Sequence, residues 1–239
     1  MLSSLCFKRG IVNNKNKLLI HTHLGLGDHF ICNGLIRHII DSSNYNNYTI
    51  PSKIQNYPTI KRMYCDLDDN VDIMKVNCDS DVYVNLPNNM EILRIGFEHM
   101  RSDLNFDEAF YDQLGLPLEI KRKKFKLCRD FNKEQECFNF YDPPEKYIFV
   151  HDQSSVGKYN LKIKNNLPQI RPTSFDFTLM DYLTLIEKAE EIHCIDSSFL
   201  NMIDLSVNHA KMYFHQTKKT PYPSIEKKWK LVQYEKEIA

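Results

Sequence analysis

Glycine is scarce in this sequence: only 7 of the 239 residues are glycine, yet Gly25 and Gly27 stand in one short segment. That segment reads Gly25-Leu-Gly-Asp-His-Phe30 and has phenylalanine where the dinucleotide-binding fingerprint requires its third glycine. No Gly-Lys-Ser or Gly-Lys-Thr follows it, so the pattern of a P-loop is absent as well. These two absences argue against a nicotinamide or flavin cofactor and against a P-loop nucleotide site.

The sequence also has no net charge, with 31 basic and 31 acidic residues and a pI near 7.1. General polyanion binders carry an excess of positive charge, so we expect no nucleic-acid partner. We interpret the one basic run, residues 121–126, as a solvated face. No apolar stretch approaches the roughly 20 residues of a membrane-spanning helix, and residues 1–10 are too interrupted for a signal peptide. We therefore expect no membrane span.

Paired cysteines of the CxxC type are missing, and the seven cysteines are odd in number. Disulfide frameworks use even numbers of cysteines, and structural zinc sites use closely spaced pairs. We therefore expect reduced, structural thiols and a cytoplasmic protein. The composition, with 42% hydrophobic and 26% charged residues, is typical of an ordinary globular chain that buries a sizeable core.

An apolar strand, a glycine turn and an amphipathic helix follow one another in residues 18–40. The strand is the apolar run Leu18 to Ile20, and Gly25 and Gly27 are expected to adopt backbone angles that a Cβ would forbid. The apolar positions at helical spacing are Phe30, Ile31, Leu35, Ile36, Ile39 and Ile40. In open α/β sheets such corners lie at the carboxyl ends of strands, where ligands bind, and a helix N-terminus attracts negative charge.

The second half of the sequence repeats this pattern. A predicted strand at residues 146–151 ends in polar side chains, and a predicted helix at 179–190 leads into another strand at 192–195. Asp196, Ser197 and Ser198 follow that strand and begin a short helix, after which residues 211–215 form a third strand. Alternating strands and helices with right-handed crossovers predict a parallel sheet, and we interpret this part as half of a doubly wound nucleotide-binding domain.

The region between the two corners is less regular. Residues 44–58 are polar with little periodicity, and short alternating segments at 71–76 and 82–86 predict further strands. Residues 90–114 carry a dense helical spacing of apolar side chains, which predicts a helical hairpin.

Two prolines in the segment Asp142-Pro-Pro-Glu145 forbid a continuing helix and favour an extended connection. We place a domain boundary there. The fold class is therefore α/β, with two Rossmann-like parallel-sheet halves around a cleft, an N-terminal domain of residues 1–142 and a C-terminal domain of residues 143–239.

The two corners, together with the segments Phe149-Val-His-Asp-Gln-Ser-Ser155 and Ile170-Arg-Pro-Thr173, resemble sugar-nucleotide glycosyltransferases of the two-Rossmann-domain (GT-B) type. The likeness is to the heptosyltransferase and fucosyltransferase-like groups, and the segments come in the same order. The resemblance implies transfer of a sugar from a nucleotide-sugar donor to a glycan or other hydroxyl acceptor, with inversion and without a metal or other cofactor. It also implies that the C-terminal half binds the donor and the N-terminal half presents the acceptor.

The donor site that the resemblance implies is built from hydroxyls, backbone amides and a cation. Ser197 and Ser198, with the N–H groups of Ser198 and Phe199 at a helix start, would hold the diphosphate. Lysine or arginine would supply the positive charge. The full set of predicted donor-binding residues is His151, Gln153, Ser154, Ser155, Lys158, Arg171, Asp196, Ser197, Ser198 and Phe199.

Asp28 is the predicted catalytic base. Its place at a helix N-terminus is expected to lower its pKa, because the helix dipole favours the charged form. A carboxylate that orients the acceptor hydroxyl and takes its proton late suffices for such a reaction. A plain helix-cap role for Asp28 remains open at this point.

Histidines surround the first corner. We expect His23 and His29, with Gly25 and Gly27, to form the acceptor-side loop, and alternation along the strand exit places His21 beside His23. Three histidines also suggest a zinc site, but no fourth ligand is nearby, so we predict none. The letters Asp79-Ser-Asp81 precede a predicted strand instead of following one, which argues against a metal-binding role there.

Purely structural roles remain open for several of these residues: His151 as a core histidine, Arg171 as a surface residue, and Asp196 and Ser197 as helix caps. A non-catalytic glycan- or nucleotide-binding protein that retains the fold is the alternative function. A phosphate-binding module unrelated to sugars is a third possibility. Two corners that face one cleft would count against that third possibility.

Overall fold

A computed structural model describes residues 17–67, 69–98, 101–154, 157–217, 222–225 and 229–234 of the chain. Its strands are β1 (Lys17–His21), β2 (Asn47–Lys53), β3 (Val71–Val76), β4 (Met90–Arg94), β5 (Ile148–His151), β6 (Gln153–Ser154), β7 (Gly157–Lys158), β8 (Gln169–Ile170), β9 (Glu191–Ile195), β10 (Met212–Gln216) and β11 (Lys230–Gln233). Its α-helices are α1 (Leu26–Ser42), α2 (Tyr57–Met63), α3 (Phe106–Asp112), α4 (Ile120–Lys123), α5 (Phe131–Tyr141), α6 (Leu183–Glu187) and α7 (Ser198–Ser206). Short 3-10 helices lie at Ile54–Asn56, Cys65–Leu67, Asp79–Tyr83 and Leu179–Tyr182.

The first sheet has four parallel strands in the order β3-β2-β1-β4. Its central strand β1 is apolar and almost fully buried, as expected for a parallel strand covered on both faces. The chain winds outward from β1 to β3 and then returns to the other side of β1 to form β4. The strand order therefore reverses between β1 and β4, and the Gly25 turn follows β1 at this switch point, where α/β sheets bind ligands.

The second sheet has five parallel strands in the order β11-β10-β9-β5-β8. Here the chain moves from β5 to β8 on one side and then crosses to β9 on the other side. The switch point lies between β5 and β9, so His151 and Asp196 meet at the carboxyl ends of neighbouring strands. Strands β6 and β7 form a separate antiparallel hairpin directly after β5.

Helices α1 and α7 lie between the two sheets and pack against each other. Their apolar residues belong to one continuous core that includes side chains from both sheets. Arg62 of α2 pairs with Asp181, and Arg122 of α4 pairs with Asp204 of α7, so ion pairs also join the two halves. The Lys121 ammonium donates to the Asp107 carboxylate at 2.8 Å and to the Ser224 carbonyl at 2.9 Å, which fastens residues 222–225 to the first half.

The structure confirms the α/β class and most predicted strands. Three local predictions are wrong. Residues 82–86 do not form a strand; a 3-10 helix ends at Tyr83. Residues 90–114 contain strand β4 and the single helix α3, because the apolar spacing on a half-exposed edge strand imitates a helical repeat. The segment 44–58, whose polar composition gives little periodicity, contains strand β2.

The domain division at residue 142 stays a prediction. Asp142 ends α5 with a positive φ of 39°, and the two prolines follow. Helix α5 packs against α6 and the Leu179–Tyr182 turn of the second half.

No described helix combines the length and apolar character needed to traverse a bilayer. The six cysteines within the described residues are unpaired.

Candidate active site between two strand-helix corners

The first corner places a carboxylate against a glycine. Gly25 is the N-cap of α1, and Asp28 is the third residue of the helix. A Cβ on Gly25 would lie 2.2 Å from Oδ2 of Asp28, so the carboxylate turns back over the start of the helix and leaves no room for a side chain. The φ of Gly25 is −68°, which any residue adopts. The predicted reason for the glycine is therefore wrong: close approach, not an unusual backbone angle, requires it.

Asp28 has a raised pKa, not the lowered one expected from its position at a helix start. Burial raises the pKa to about 6, and nearby Asp196 adds to the rise, while His23, the residue's own backbone and Lys53 oppose it. The loss of water around the carboxylate outweighs the helix dipole, which contributes only about 0.3–1 kcal/mol at such positions. Asp28 is also not the cap of the helix, since Gly25 takes that place without a side-chain hydrogen bond.

His23 is held rigidly beside this carboxylate. Its Nε2 lies 2.8 Å from the carbonyl oxygen of Gly96, and its ring stacks on Phe97 and Phe110 with centroids 4.6 and 5.6 Å away. Gly96 has a φ of +88°, and a Cβ there would lie 2.5 Å from Phe110 and 2.8 Å from the His23 ring. A carbonyl oxygen can only accept, so Nε2 of His23 carries a proton and donates it to Gly96.

The other histidines of this corner are engaged or enclosed. His21 contacts the Tyr83 hydroxyl at 2.6 Å and the Asp79 carboxylate at 3.0 Å, and its ring shares Phe97 with His23. His29 lies within α1 with no exposed surface, and burial lowers its pKa to about 4. An acceptor contact through the His29 ring is therefore not possible in this arrangement. Within the described ranges no group of three His, Cys, Asp or Glu side chains is placed to hold a metal ion.

The second corner is built from a serine cap and a neutral histidine. Oγ of Ser197 caps α7 by accepting from the Leu200 N–H at 3.4 Å, and it lies 3.0 Å from Nδ1 of His151. The His151 ring packs on Phe199 with centroids 4.4 Å apart. Burial lowers the pKa of His151 to about 4, so the ring is uncharged at neutral pH. The corner presents hydroxyls and backbone N–H groups at a helix N-terminus, which together attract anions.

The two corners touch. A Cβ on Gly27 would lie 2.9 Å from Nδ2 of Asn201 and 3.7 Å from the Cα of Ser198, so the first turns of α1 and α7 are in contact. The charge of Asp196 raises the pKa of Asp28, which places the two carboxylates within electrostatic range across the same opening. The N-terminal turns of the two helices therefore lie side by side. This arrangement counts against a phosphate-binding module in which one of the corners arose by coincidence.

No protein-family model matches the sequence, and no curated protein matches it. A solved structure does match the fold: the glycosyl transferase family 9 protein from Veillonella parvula DSM 2008 superposes with a TM-score of 0.58 at 8% sequence identity. The match covers 94% of this chain and 89% of that chain. The chain has a GT-B-like fold. At this identity the likeness is one of architecture, with two parallel sheets and helices packed between them.

In this GT-B-like fold the predicted donor residues divide into two groups. His151, Asp196, Ser197, Ser198 and Phe199 meet at the switch point of the second sheet. Gln153 and Ser154 in β6, with Lys158 in β7, form the hairpin that follows β5, where Gln153 and Lys158 are paired.

The remaining two predicted donor residues are Arg171 and Ser155. Arg171 donates to the buried Asp152 carboxylate at 2.7 Å and to Gln169 at 2.7 Å, so its charge is already balanced. Ser155 lies outside the described residues.

Sequence reasoning missed three groups that the structure brings to the cleft. Lys53 ends β2 and lowers the pKa of Asp28. Asn201 contacts the first corner at Gly27. The ring of Phe97 packs against the rings of both His21 and His23. A charged residue at the end of a strand is a recognisable signal, but the polar pattern of residues 44–58 predicts no strand before Lys53. The helical spacing of residues 90–114 predicts a helix at Phe97, which gives no reason to expect that residue at the site.

Proposed function

We propose that this protein is a metal-independent, inverting glycosyltransferase that moves a sugar from a nucleotide-sugar donor to a hydroxyl acceptor in the cytoplasm. The carrying observation is the Asp28 carboxylate, whose pKa of about 6 suits proton transfer near neutral pH, beside the N-terminus of α7. The architecture shared with a glycosyl transferase family 9 structure supports this proposal. In it, residues 143–239 bind the donor and residues 1–142 present the acceptor.

The donor diphosphate would lie at the second corner. The N–H groups of Ser198 and Phe199 have no intrahelical acceptor at the start of α7, and the helix dipole favours negative charge there. These groups stabilise the charge that develops on the leaving diphosphate. Lys158 is the better cation for this role, because Arg171 is paired with Asp152 while Lys158 is exposed on the hairpin.

The acceptor hydroxyl would approach Asp28. In the transfer step its oxygen forms a bond to the anomeric carbon, the bond from that carbon to the diphosphate oxygen breaks, and the diphosphate leaves with the electron pair. The hydroxyl proton passes to Asp28, which is mostly ionised above its pKa of about 6. A single base opposite the leaving group gives direct displacement and therefore inversion. His23 is held in place by its hydrogen bond to the Gly96 carbonyl, and its charge lowers the pKa of Asp28, which favours the ionised form of the base.

The alternative is a protein that binds the same ligands without turnover, and one experiment separates the two. Purified protein is screened with UDP-, GDP-, ADP- and dTDP-sugars in EDTA, by thermal shift and by release of nucleoside diphosphate. The proposal expects one nucleotide family to raise the melting temperature and to be slowly hydrolysed. A thermal shift without release, with acceptors from a glycan panel also present, supports the binding protein. No shift with any donor contradicts both.

A further inference from the structure

One face of the second sheet carries no helix among the residues that the structure describes. Leu183 and Ile203, from the connections that precede β9 and β10, lie in one buried cluster with Phe214 of β10, and Tyr222 packs against that cluster, so these residues cover the same face. Among the described residues the opposite face is covered by the extended segment 159–168, which we call the strap. The strap is tied down by its contacts with Tyr234 and Glu191.

Polar side chains occupy part of this second face, beside the apolar Val150. His193 and His215 are buried, and Nδ1 of the first lies 2.8 Å from Nε2 of the second. This series of side-chain contacts continues from His215 to the Tyr234 hydroxyl at 2.8 Å and from His193 to the Glu191 carboxylate at 3.3 Å. The interior of a parallel sheet is normally filled with Val, Ile and Leu, so a polar face indicates that this side is not a simple packing surface.

An open depression of about 630 Å³ lies between the strap and this face. Its size is in the range of small-molecule sites. Lys162 and Lys164 of the strap and Lys230 of β11 line it, with Glu191, His193 and Tyr213 on the sheet side. Lys230 Nζ is 5.3 Å from the centre of the Tyr213 ring, which stacks on His193 at 4.5 Å.

The charges of this depression are not balanced. Glu191 accepts from Asn165 at 3.0 Å and contacts His193, and these two contacts help to hold its pKa below the usual range even though burial opposes the shift. Within the part of the chain that the structure describes, no carboxylate lies in ion-pair distance of Lys162, Lys164 or Lys230. Three lysines therefore line the depression together with one carboxylate that is already engaged.

We propose that this depression is a second binding site, for a small anion with at least two closely spaced negative charges, such as a phosphate ester or a dicarboxylate. The lysines supply charge and hydrogen-bond donors, and the Tyr213-His193 stack forms a stiff wall. The site is separate from the cleft: Glu191 begins β9 and Asp196 follows its other end, about 16 Å away at 3.3 Å per residue. It therefore does not depend on the proposed transferase activity.

The test compares the double variant Lys164→Gln/Lys230→Gln with the wild type. Pyrophosphate and succinate are titrated by calorimetry at low salt, while NMR follows the side-chain signals of His193 and His215. We expect at least one probe to bind the wild type and to bind the double variant about tenfold or more weakly, since the variant loses two charged hydrogen-bond donors. Lys123→Gln, an exposed lysine of α4, is the control for lost charge.

Each result decides the proposal. Tighter binding of pyrophosphate indicates a phosphate ester, and tighter binding of succinate indicates a dicarboxylate. Pyrophosphate can also occupy the cleft, so the variant Ser197→Ala/Ser198→Ala is titrated in parallel and should retain the shifts of the His193 signals. Equal affinity in the wild type and the lysine variant, or histidine signals that do not move with either probe, overturns the proposal and leaves the transferase hypothesis untouched.

Discussion

The two corners of the cleft have the same architecture but different chemistry. Each follows a buried parallel strand at the switch point of its sheet and opens into a helix. The first has a glycine cap and an acidic side chain whose pKa is raised by burial, whereas the second has a serine cap and a neutral histidine. The comparison shows how one supersecondary unit places a buried carboxylate at the helix start in one copy and a serine hydroxyl with a neutral histidine in the other, through the residues at and just after the cap.

Among the variants that separate the two corners, Asp28→Asn is expected to have the largest effect, because it lowers turnover and leaves donor binding intact. Loss of a positioned general base reduces turnover by about 10²- to 10⁴-fold. Donor affinity, which we assign by proposal to the second corner, should stay within about threefold of the wild type. Asp41→Asn, at an exposed residue of the same helix that pairs with Lys124, is the control and should keep full activity. Release of nucleoside diphosphate measures turnover, and normal release by Asp28→Asn would remove the catalytic role.

Gly25→Ala tests the contact between glycine and carboxylate. The new methyl group would occupy the space of Oδ2 of Asp28, so the carboxylate must rotate, and we expect turnover to fall about tenfold or more. The backbone angle of Gly25 suits alanine, so the melting temperature should change little. Gly27→Ala meets the Asn201 amide instead and should affect the contact between the corners. Equal kinetics in the two variants would contradict a specific effect on Asp28.

The pH dependence follows from the same carboxylate. Since the base must be ionised, kcat/KM should rise about tenfold per pH unit below pH 6 and level off above it. The folded state holds the Asp28 proton more tightly than the unfolded state does, so its contribution to stability is present at low pH and is lost as pH rises through about 6.

Asp28→Asn removes this dependence and should be more stable than the wild type at pH 8 by about 1–3 kcal/mol. Denaturant unfolding at pH 5 and pH 8 measures the difference. An Asp28→Asn variant that is less stable than the wild type at pH 8 would show that the carboxylate has a structural role instead.

Ser197→Ala has the smallest expected effect and acts on the second corner alone. It removes the N-cap of α7 and the contact with His151, which should lower stability by about 1 kcal/mol and weaken donor binding severalfold. Ser206→Ala, at the other end of the same helix, removes a hydroxyl bonded to the Met202 carbonyl and is the matched control. Thermal melts with and without donor measure both effects, and the two variants should differ in donor affinity.

Much of this architecture could be predicted from the sequence, because both corners carry strong local signals. The signal at each corner is an apolar run, then glycine or serine, then a helical repeat of apolar residues, and it lies within about 20 neighbouring residues. The structure confirms the predicted order of strand, turn and helix at Gly25 and at Ser197. The strands β2 and β4 were missed because their pattern depends on partners far along the chain. The half-exposed segment β4 is a strand because it pairs with β1, and local periodicity does not reveal a pairing with such a distant segment.

The chemistry of the site was harder to predict than its position. The position of Asp28 next to a helix start suggested a low pKa, but the value depends on how much water the folded chain removes, which depends on distant residues. The same holds for His29, whose sequence neighbours suggest a cleft residue and whose ring is buried. Likewise, the partner of Arg171 becomes visible only when β5 and β8 are side by side.

The ion pairs that join Arg62 to Asp181 and Arg122 to Asp204 have a kinetic consequence. They hold the two halves against each other in the absence of a ligand. The conformational entropy of aligning the corners is therefore lost during folding and not when a ligand binds. A ligand that enters such a cleft meets a preorganised surface. Its association should then show a single exponential phase whose rate rises linearly with ligand concentration, without the plateau that a slow closing step would impose.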